Sequence, residues 1–398
     1  MSTPKNTLYD KRVTSREDIT LWTDSYFTNS RQCAERDGDK EVTYAVFVRS
    51  PAMFAPDLAV SWLKEVAKKE GFDVIFESRY QPGDIVPAGE AQLYITGPFT
   101  KLAECETFLL QKIGAVSVAA LNAYRACQEL PDIPFIAMGA RHCCGTEMQE
   151  MMDYAASIGG KTAQRQLGAK GFINGASNAT AHFFGQEEGM GTMPHALIGY
   201  YDSTLEAAKA FKAAHPEKPF IVLNDFDGKE ITDSIDVCQA FPEEAKNGSL
   251  GFRLDTNGAR YIEGLNHDSS IEVLHNFAPQ MMIESWEEEQ LKVLYGKGVS
   301  VAAIWHFRHE MDKAGFPNIK IIASSGFNAE KCRMMAMAKA PLDGVGTGSY
   351  IPSDFHKTYA TADIFRYDGS TRVKAGREYL AERYAEQSPV IFDKSDKK

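Results

Sequence analysis

From Pro131 onward the chain repeats one unit, a short apolar run followed by a stretch of helical spacing. "PFIAMG" leads into "TEMQEMMDYAASIG", and "PFIVLND" (219–225) leads into "KEITDSIDVCQAF". "SLGFRLD" (249–255), "VSVAAIWHFRHEMDKAG" (299–315), "IKIIASSG" (319–326) with "NAEKCRMMAMAKA", and "LDGVGTGS" (342–349) continue the series. Strand–helix units in succession call for a parallel sheet, and this many in a row favour a (β/α) barrel. Nearly every run ends on polar or glycine residues: Arg141, Asp225, Asp255, Ser324-Ser325-Gly326 and Gly346-Thr347-Gly348. In a barrel those C-terminal strand ends converge on one face, where chemistry is placed.

The first third reads differently. "VTYAVFVR" (42–49), "FDVIFES" (72–78) and "AQLYITG" (91–97) carry the β-branched and aromatic enrichment of strands. "PDLAVSWLKEVAKKEG" (56–71) has helical spacing and ends on glycine, and a second helical pattern runs from Thr100 to about Leu130. This is an α+β domain ahead of the barrel. A length of 398 residues fits that division, being too long for one small core.

Several classes are excluded. No run of about 18 apolar residues exists, so no membrane span is expected. The polar N-terminus, "MSTPKNTLYDKRVTSREDITLW", lacks the apolar middle of a signal peptide. Seven scattered cysteines with no CxxC pair read as reduced thiols, hence a cytoplasmic protein. A net charge of −11 without a basic stripe argues against nucleic acid. An anionic substrate then requires positive charge placed locally. The charged tail after Tyr350 ends in a loose "DKSDKK".

Glycines in "ASSGFN" and "DGVGTGS" free backbone N–H groups for an anion nest, and the last barrel loops are the usual phosphate site; ordinary tight turns have the same composition. Arg253 and Asp255, two apart in "FRLDTNGAR", share one strand face and are either a structural ion pair or ligand contacts. Arg141, ending "FIAMGAR", suits phosphate or carboxylate. "IGGKT" (158–162) is no Walker loop, because Ala155 occupies the place of its first glycine. "HFRH" (306–309) reads as a solvated helix face and "RHCC" (141–144) as holding inert buried thiols. His195, behind "GTMP" and ahead of "ALIGYY", reads from spacing alone as a hydrogen-bonded structural histidine.

The runs "TDSYF" (23–27), "MGARH", "YAASIGG", "GASN", "GTMPHAL", "FRLDT", "SSGF" and "DGVGTG" together resemble the nicotinate phosphoribosyltransferases. The likeness is to the short archaeal-type members of the type II phosphoribosyltransferases, and it spans most of the chain in the family's order. It implies an irregular (β/α) barrel over 131–354. It also implies an N-terminal α/β sandwich over 1–130, completed by a C-terminal tail (355–398) that packs back on it. The implied reaction joins nicotinate to phosphoribosyl pyrophosphate (PRPP), giving nicotinate mononucleotide and pyrophosphate for NAD salvage. A homodimer shares its active sites, Mg²⁺ accompanies PRPP and ATP, and ATP is a co-substrate. His195 matches the histidine that ATP phosphorylates. Arg253 and Asp255 match the pair handling phosphates and ribose hydroxyls, and Tyr26 the aromatic that stacks on the pyridine ring across the dimer. Arg141, Ser177, Thr192, Asp225 and Ser325 fall on substrate-contacting stretches, and Gly326, Gly346 and Thr347 on the 5′-phosphate cradle.

The chain departs from that pattern in places. His142 stands where a second arginine is common, "TAQRQLGAKGFIN" (162–174) forms an extra solvated loop, and a further insertion fills 261–298. The cysteine knuckle of some archaeal relatives is missing, so no zinc is expected, and no protein side chain is identified as a metal ligand. The competing readings are a nicotinamide or quinolinate phosphoribosyltransferase and a catalytically silent phosphoribosyl-binding barrel.

Overall fold

The structure, a computed structural model, describes residues 13–392 apart from Glu284. The "DKSDKK" tail and the first twelve residues lie outside the described residues. In chain order the strands are β1 (Glu41–Val48), β2 (Ala52–Met53), β3 (Ile75–Ser78), β4 (Ile85–Val86), β5 (Ala91–Pro98), β6 (Phe135–Ala137) and β7 (Phe172–Gly175). They continue as β8 (Phe220–Leu223), β9 (Leu250–Leu254), β10 (Lys320–Ala323), β11 (Gly344–Thr347), β12 (Ala360–Tyr367), β13 (Ser370–Thr371) and β14 (Val390–Ile391). Two compact units result, one of Met1–Tyr124, Ala140–Thr162 and Ile351–Lys398, the other of Arg125–Gly139 and Ala163–Tyr350.

The first unit is built on an antiparallel sheet ordered β13-β12-β1-β5-β3-β14. The tail supplies three of those strands, and β12 pairs with β1 from Val42↔Tyr367 to Val48↔Ala360. Alternation along β1 sends Tyr44 and Val46 to one face, against Trp62, Leu63, Val66 and Phe108 of the Asp57–Glu70 and Glu106–Glu129 helices. Ala45 and Phe47 point to the other, against Tyr94, Phe365 and Leu380. Both faces are covered, which explains why seven consecutive residues of β1 are buried.

Residues 140–162, expected with the barrel, belong to this first unit. The Tyr154 hydroxyl donates to Asp57 Oδ2 at 2.9 Å and accepts from the Asp57 amide at 3.1 Å. "IGGKT" lies inside the Thr146–Leu167 helix, and a Cβ on Gly159 would overlap the Ala120 carbonyl oxygen. That glycine serves a close helix crossing. "RHCC" corrects the sequence reading, since Cys143 is only half-buried and Cys144 is exposed.

The second unit holds a six-stranded sheet ordered β7-β6-β11-β10-β9-β8, parallel at every pairing. This is the irregular barrel wall, and among the described residues its edges β7 and β8 are not paired with each other. Three sequence expectations fail here. "VSVAAIWHFRHEMDKAG" contains no strand: Val301–Lys313 is one helix, with Val301, Ile304, Phe307 and Met311 buried at helical spacing. Nor is 162–174 a solvated loop. The preceding helix runs on to Leu167, Gly168 and Gly171 turn the chain at φ +67° and +65°, and Phe172 opens β7. The 261–298 insertion contains the His267–Phe277 and Glu288–Tyr295 helices. "HFRH" is not a solvated face either, because Arg308 donates to the Ile319 and Phe316 carbonyls and His306 Nε2 bonds the Glu263 carbonyl at 3.1 Å. Among the described residues no helix is long and apolar enough to cross a membrane.

One buried carboxylate ties the start of the chain to the first unit. Glu104, with a fully buried side chain, meets Arg16 Nη2 and Arg31 Nε, both at 3.1 Å, and accepts from Thr28 Oγ1 at 2.8 Å. The Ser25–Asp37 helix, which carries Tyr26, is thereby anchored. Glu104→Ala leaves two arginines without their shared partner and is expected to cost about 3 kcal/mol of stability. Urea denaturation measures it, and a loss under about 1 kcal/mol contradicts the anchoring.

Candidate functional site

Short parallel strands in register bring their carboxyl ends together. Leu223 of β8 sits beside Arg253 of β9, Arg253 beside Ile322 of β10, and Ile322 beside Gly344 of β11. Each strand stops one or two residues before a polar group, so Asp225, Asp255 and Ser324 emerge along one edge of the sheet.

Arg253 is the one residue of β9 that is not fully buried, and its side chain is 12% exposed. A guanidinium offers five N–H donors in a rigid fork. Nε donates to Thr192 Oγ1 at 3.1 Å, Nη1 to Asp255 Oδ2 and Ser324 Oγ at 3.1 Å each, and Nη2 to the Met193 carbonyl at 3.4 Å. Ser324 Oγ in turn donates to Asp255 Oδ1 at 2.8 Å. The pair seen in "FRLDT" is thus an ion pair that also gathers Thr192 and Ser324.

His195 opens the His195–Tyr201 helix, and Pro194 before it is extended at φ −87°, ψ 158°. That proline stops the helix from starting earlier and delivers the imidazole at its first position. His195 Nε2 lies 2.9 Å from Asp225 Oδ1. Burial lifts the Asp225 carboxyl above the ordinary range; His195 pulls it back, while Asp255 and Glu230 push it further up. The three acids therefore share one electrostatic field.

A second network, not singled out from the sequence, holds the Asp225 loop. Arg260 Nη2 donates to the Asp225 carbonyl at 2.9 Å and to Glu230 Oε1 at 2.5 Å. Fully buried Glu230 also accepts from Thr256 Oγ1 at 2.8 Å and the Glu263 amide at 3.2 Å. Glu263 caps the Glu230–Ala240 helix through the Ile231 and Thr232 amides. In sequence Glu230 is an ordinary first-turn acid, and nothing local marks its partner 30 residues on.

The glycine loops split in character. After β10, Ser325 and Gly326 both take left-handed φ, +78° and +69°. Ser325, a non-glycine residue, holds this costly conformation at the rim of the site. After β11 the glycines serve packing: a Cβ on Gly346 would overlap the Met138 sulfur, and one on Gly348 would come within 2.8 Å of Gly139 Cα. Buried Thr347 gives its hydroxyl proton to the Phe327 carbonyl at 2.7 Å, so it fastens one loop to the other. Ser177 Oγ lies 2.9 Å from Thr180 Oγ1 within its own loop. Tyr26 and Arg141 belong to the first unit. Tyr26 is exposed beside Phe27, ring centroids 4.2 Å apart, and exposed Arg141 donates from Nε to His142 Nε2 at 3.3 Å. Among the described residues, no group of three or more His, Cys, Asp or Glu side chains could hold a metal ion.

In sequence the chain is similar to nicotinate phosphoribosyltransferase pncB2 of Mycobacterium tuberculosis, in each of two strains. Identity is 23% over 297 residues, which cover 73% of this chain and 52% of the relative. The chain therefore spans about half the length of the curated relatives it matches. No protein-family model matches. A solved nicotinate-nucleotide pyrophosphorylase from Pyrococcus furiosus superposes with a TM-score of 0.66 at 24% identity, over 91% of this chain and 79% of that one. Human nicotinic acid phosphoribosyltransferase follows with 0.56 at 14% identity, over 88% and 76%. These likenesses establish the mixed α/β fold that the sequence motifs implied.

A carboxylate whose burial disfavours its charge is not there for stability. The raised Asp225 pKa favours the folded state below the ordinary carboxylate range, and this contribution is lost as pH rises through the raised value. Asp225→Asn is therefore expected to hold or raise the melting temperature at pH 7 and to flatten its fall between acidic and neutral pH. Melting curves across that range check it, and a variant less stable at pH 7 contradicts the assignment.

Proposed function

We propose that the chain is a nicotinate phosphoribosyltransferase that transfers phosphoribose from PRPP to nicotinate in NAD salvage, stimulated by ATP. What carries the reading is the convergence of the Arg253–Asp255–Ser324 cluster and the His195–Asp225 pair at adjoining ends of one parallel sheet. Similarity to proteins named for this activity supports it.

The chemistry asks for field and position. As the bond from ribose C1 to pyrophosphate breaks, the sugar gains positive charge and the leaving diphosphate negative charge. Nicotinate attacks C1 through a ring nitrogen that carries no proton, so no general base is needed. Arg253, already fixed by four oxygen acceptors, meets the phosphate charge without first reorganising. In this reading Asp255 accepts from ribose hydroxyls, and the Ser325–Gly326 turn, left-handed at both residues, supplies backbone amides for the 5′-phosphate. Tyr26 of one protomer stacks on the pyridine ring held by the other. By the family pattern, Ser177 lies near the base and phosphoribosyl groups, and Arg141 matches an arginine for the substrate's anionic groups.

His195 takes the ATP-linked role. With Nε2 turned to Asp225, Nδ1 is the nitrogen left to attack the γ-phosphorus; the N–P bond forms as the bond to ADP breaks, and water later releases phosphate. Mg²⁺ supplies charge neutralisation to a diphosphate. Asp225 and Asp255 would hold it, a donor set of two carboxylates that suits an ion arriving with phosphate and water ligands.

Purified protein given PRPP, Mg²⁺ and nicotinate, nicotinamide or quinolinate in separate reactions, with and without ATP, should form nicotinate mononucleotide from nicotinate, faster with ATP. A different preferred base, or no product at all, replaces this reading. His195→Ala should abolish the ATP stimulation and retain slow ATP-independent synthesis; an unchanged ATP response removes the phosphohistidine role. Tyr26→Ala should raise KM for the base, and mixing it with an Arg253 variant should restore part of the activity if sites are shared between protomers. Absence of complementation rules out sharing.

A further inference from the structure

A cavity of about 740 Å³ opens within the first unit, against the Glu106–Glu129 and Thr146–Leu167 helices. That volume suits a small organic ligand. Phe108, Lys112 and Ala115 share one face of the first helix, and Glu147, Met148 and Met151 share one face of the second, both at helical spacing. Trp22 and Trp62 supply further wall. A smaller recess of about 170 Å³ shares Ala115, Met148 and Met151 with it. Packing has been arranged around this space. Gly114 weakens the helix that carries it, but a Cβ there would overlap the carbonyl oxygen of Thr358, another residue of the cavity wall.

Lys112 brings an amine into these walls. A lysine side chain ordinarily carries its head out to water. Lys112 is 2% exposed, and its Nζ lies 5.3 Å from the centroid of the Trp62 ring. Burial pushes the amine down to about 6, against Glu150 and Glu147, which favour the charged form. Near neutral pH it is largely an unprotonated amine beside an apolar cavity, which is the condition of a nucleophilic lysine. The walls also limit the ligand. An anion would add to the charge of Glu147 and the buried Glu150, whereas tryptophan, phenylalanine and methionine hold a neutral ring.

From this cavity and its side chains we infer that the first unit holds a binding site for a neutral aromatic aldehyde or ketone, retained as an imine of Lys112. The step balances without a further reactant. The lone pair of Lys112 Nζ forms a bond to the carbonyl carbon, the amine's two protons pass to the carbonyl oxygen, and that oxygen leaves as water. Hydrolysis reverses the bond and releases the ligand. The inference does not depend on the phosphoribosyl reading, since neither Arg253 nor His195 nor any of their partners lines this cavity.

The probe is 2-naphthaldehyde, given to the whole protein at pH 7 in equimolar amount with sodium cyanoborohydride, which reduces an imine to a stable amine. Intact mass should show one addition, and peptide mapping should place it on Lys112, formed about tenfold faster or more than on any exposed lysine. Lys112→Met should remove that adduct and leave only slow labelling of exposed lysines. Ala115→Phe fills the cavity and keeps the amine, so it should slow the Lys112 adduct by about tenfold. First additions spread over exposed lysines, or a Lys112 adduct that Ala115→Phe leaves unchanged, overturn the inference. Thermal melting of each variant separates a lost site from a lost fold. Should Ala115→Phe fail to fold, 2-naphthalenemethanol, which has the ring and no carbonyl, replaces it as a competitor. Excess competitor should protect Lys112 in the wild-type protein, and labelling at an unchanged rate overturns the inference.

Discussion

The Arg253 guanidinium is the constraint on which the polar strand-end face of the second unit depends. One rigid group is bonded to Thr192 and Met193 from the segment ahead of His195, to Asp255 from the loop after β9, and to Ser324 from the loop after β10. Mostly buried ion pairs contribute little net stability, because desolvation offsets the attraction. The benefit here is geometric. Three chain segments far apart in sequence are held to the fork of one side chain, so the positive charge is oriented before any ligand arrives.

Asp225 is supported at second hand. Glu263 caps the helix that begins at Glu230, Glu230 is buried against Arg260, and Arg260 grips the Asp225 carbonyl. Asp225 then reaches His195. Each step leaves a polar group satisfied, which is why a fully buried glutamate is tolerated there. The histidine at the end of this chain is more exposed than its support, with 41% of its side chain accessible. A firm base thus sits under an accessible imidazole.

What the sequence disclosed follows from which interactions are local. Strand ends are local, so Asp225, Asp255, Ser325 and Thr347 were readable as members of one rim, and the two-residue spacing of Arg253 and Asp255 reported their shared face. His195 was not readable that way; only the company of "GTMPHAL" singled it out. The Glu230–Arg260 contact escaped because a helix-start acid has many harmless roles, and only the fold shows what it faces. β7 was hidden by its flanks: "GAKGFING" has the composition of a loop, and the parallel partner that makes Phe172 a strand residue lies in β6, far back in the chain. The "HFRH" face misled for the opposite reason, since Arg308 and His306 spend their donors on carbonyls of neighbouring segments instead of water.

The charge balance of the site bears on how an acidic protein accepts an anion. Arg253 is neutralised by Asp255 and Arg260 by Glu230, so these cations add orientation more than net charge. Asp225 is held above its ordinary pKa first by burial, with Asp255 and Glu230 adding to the rise and His195 opposing it. The charge that an anionic ligand meets at this edge is thus set by how the paired groups are oriented, and not by an excess of cations.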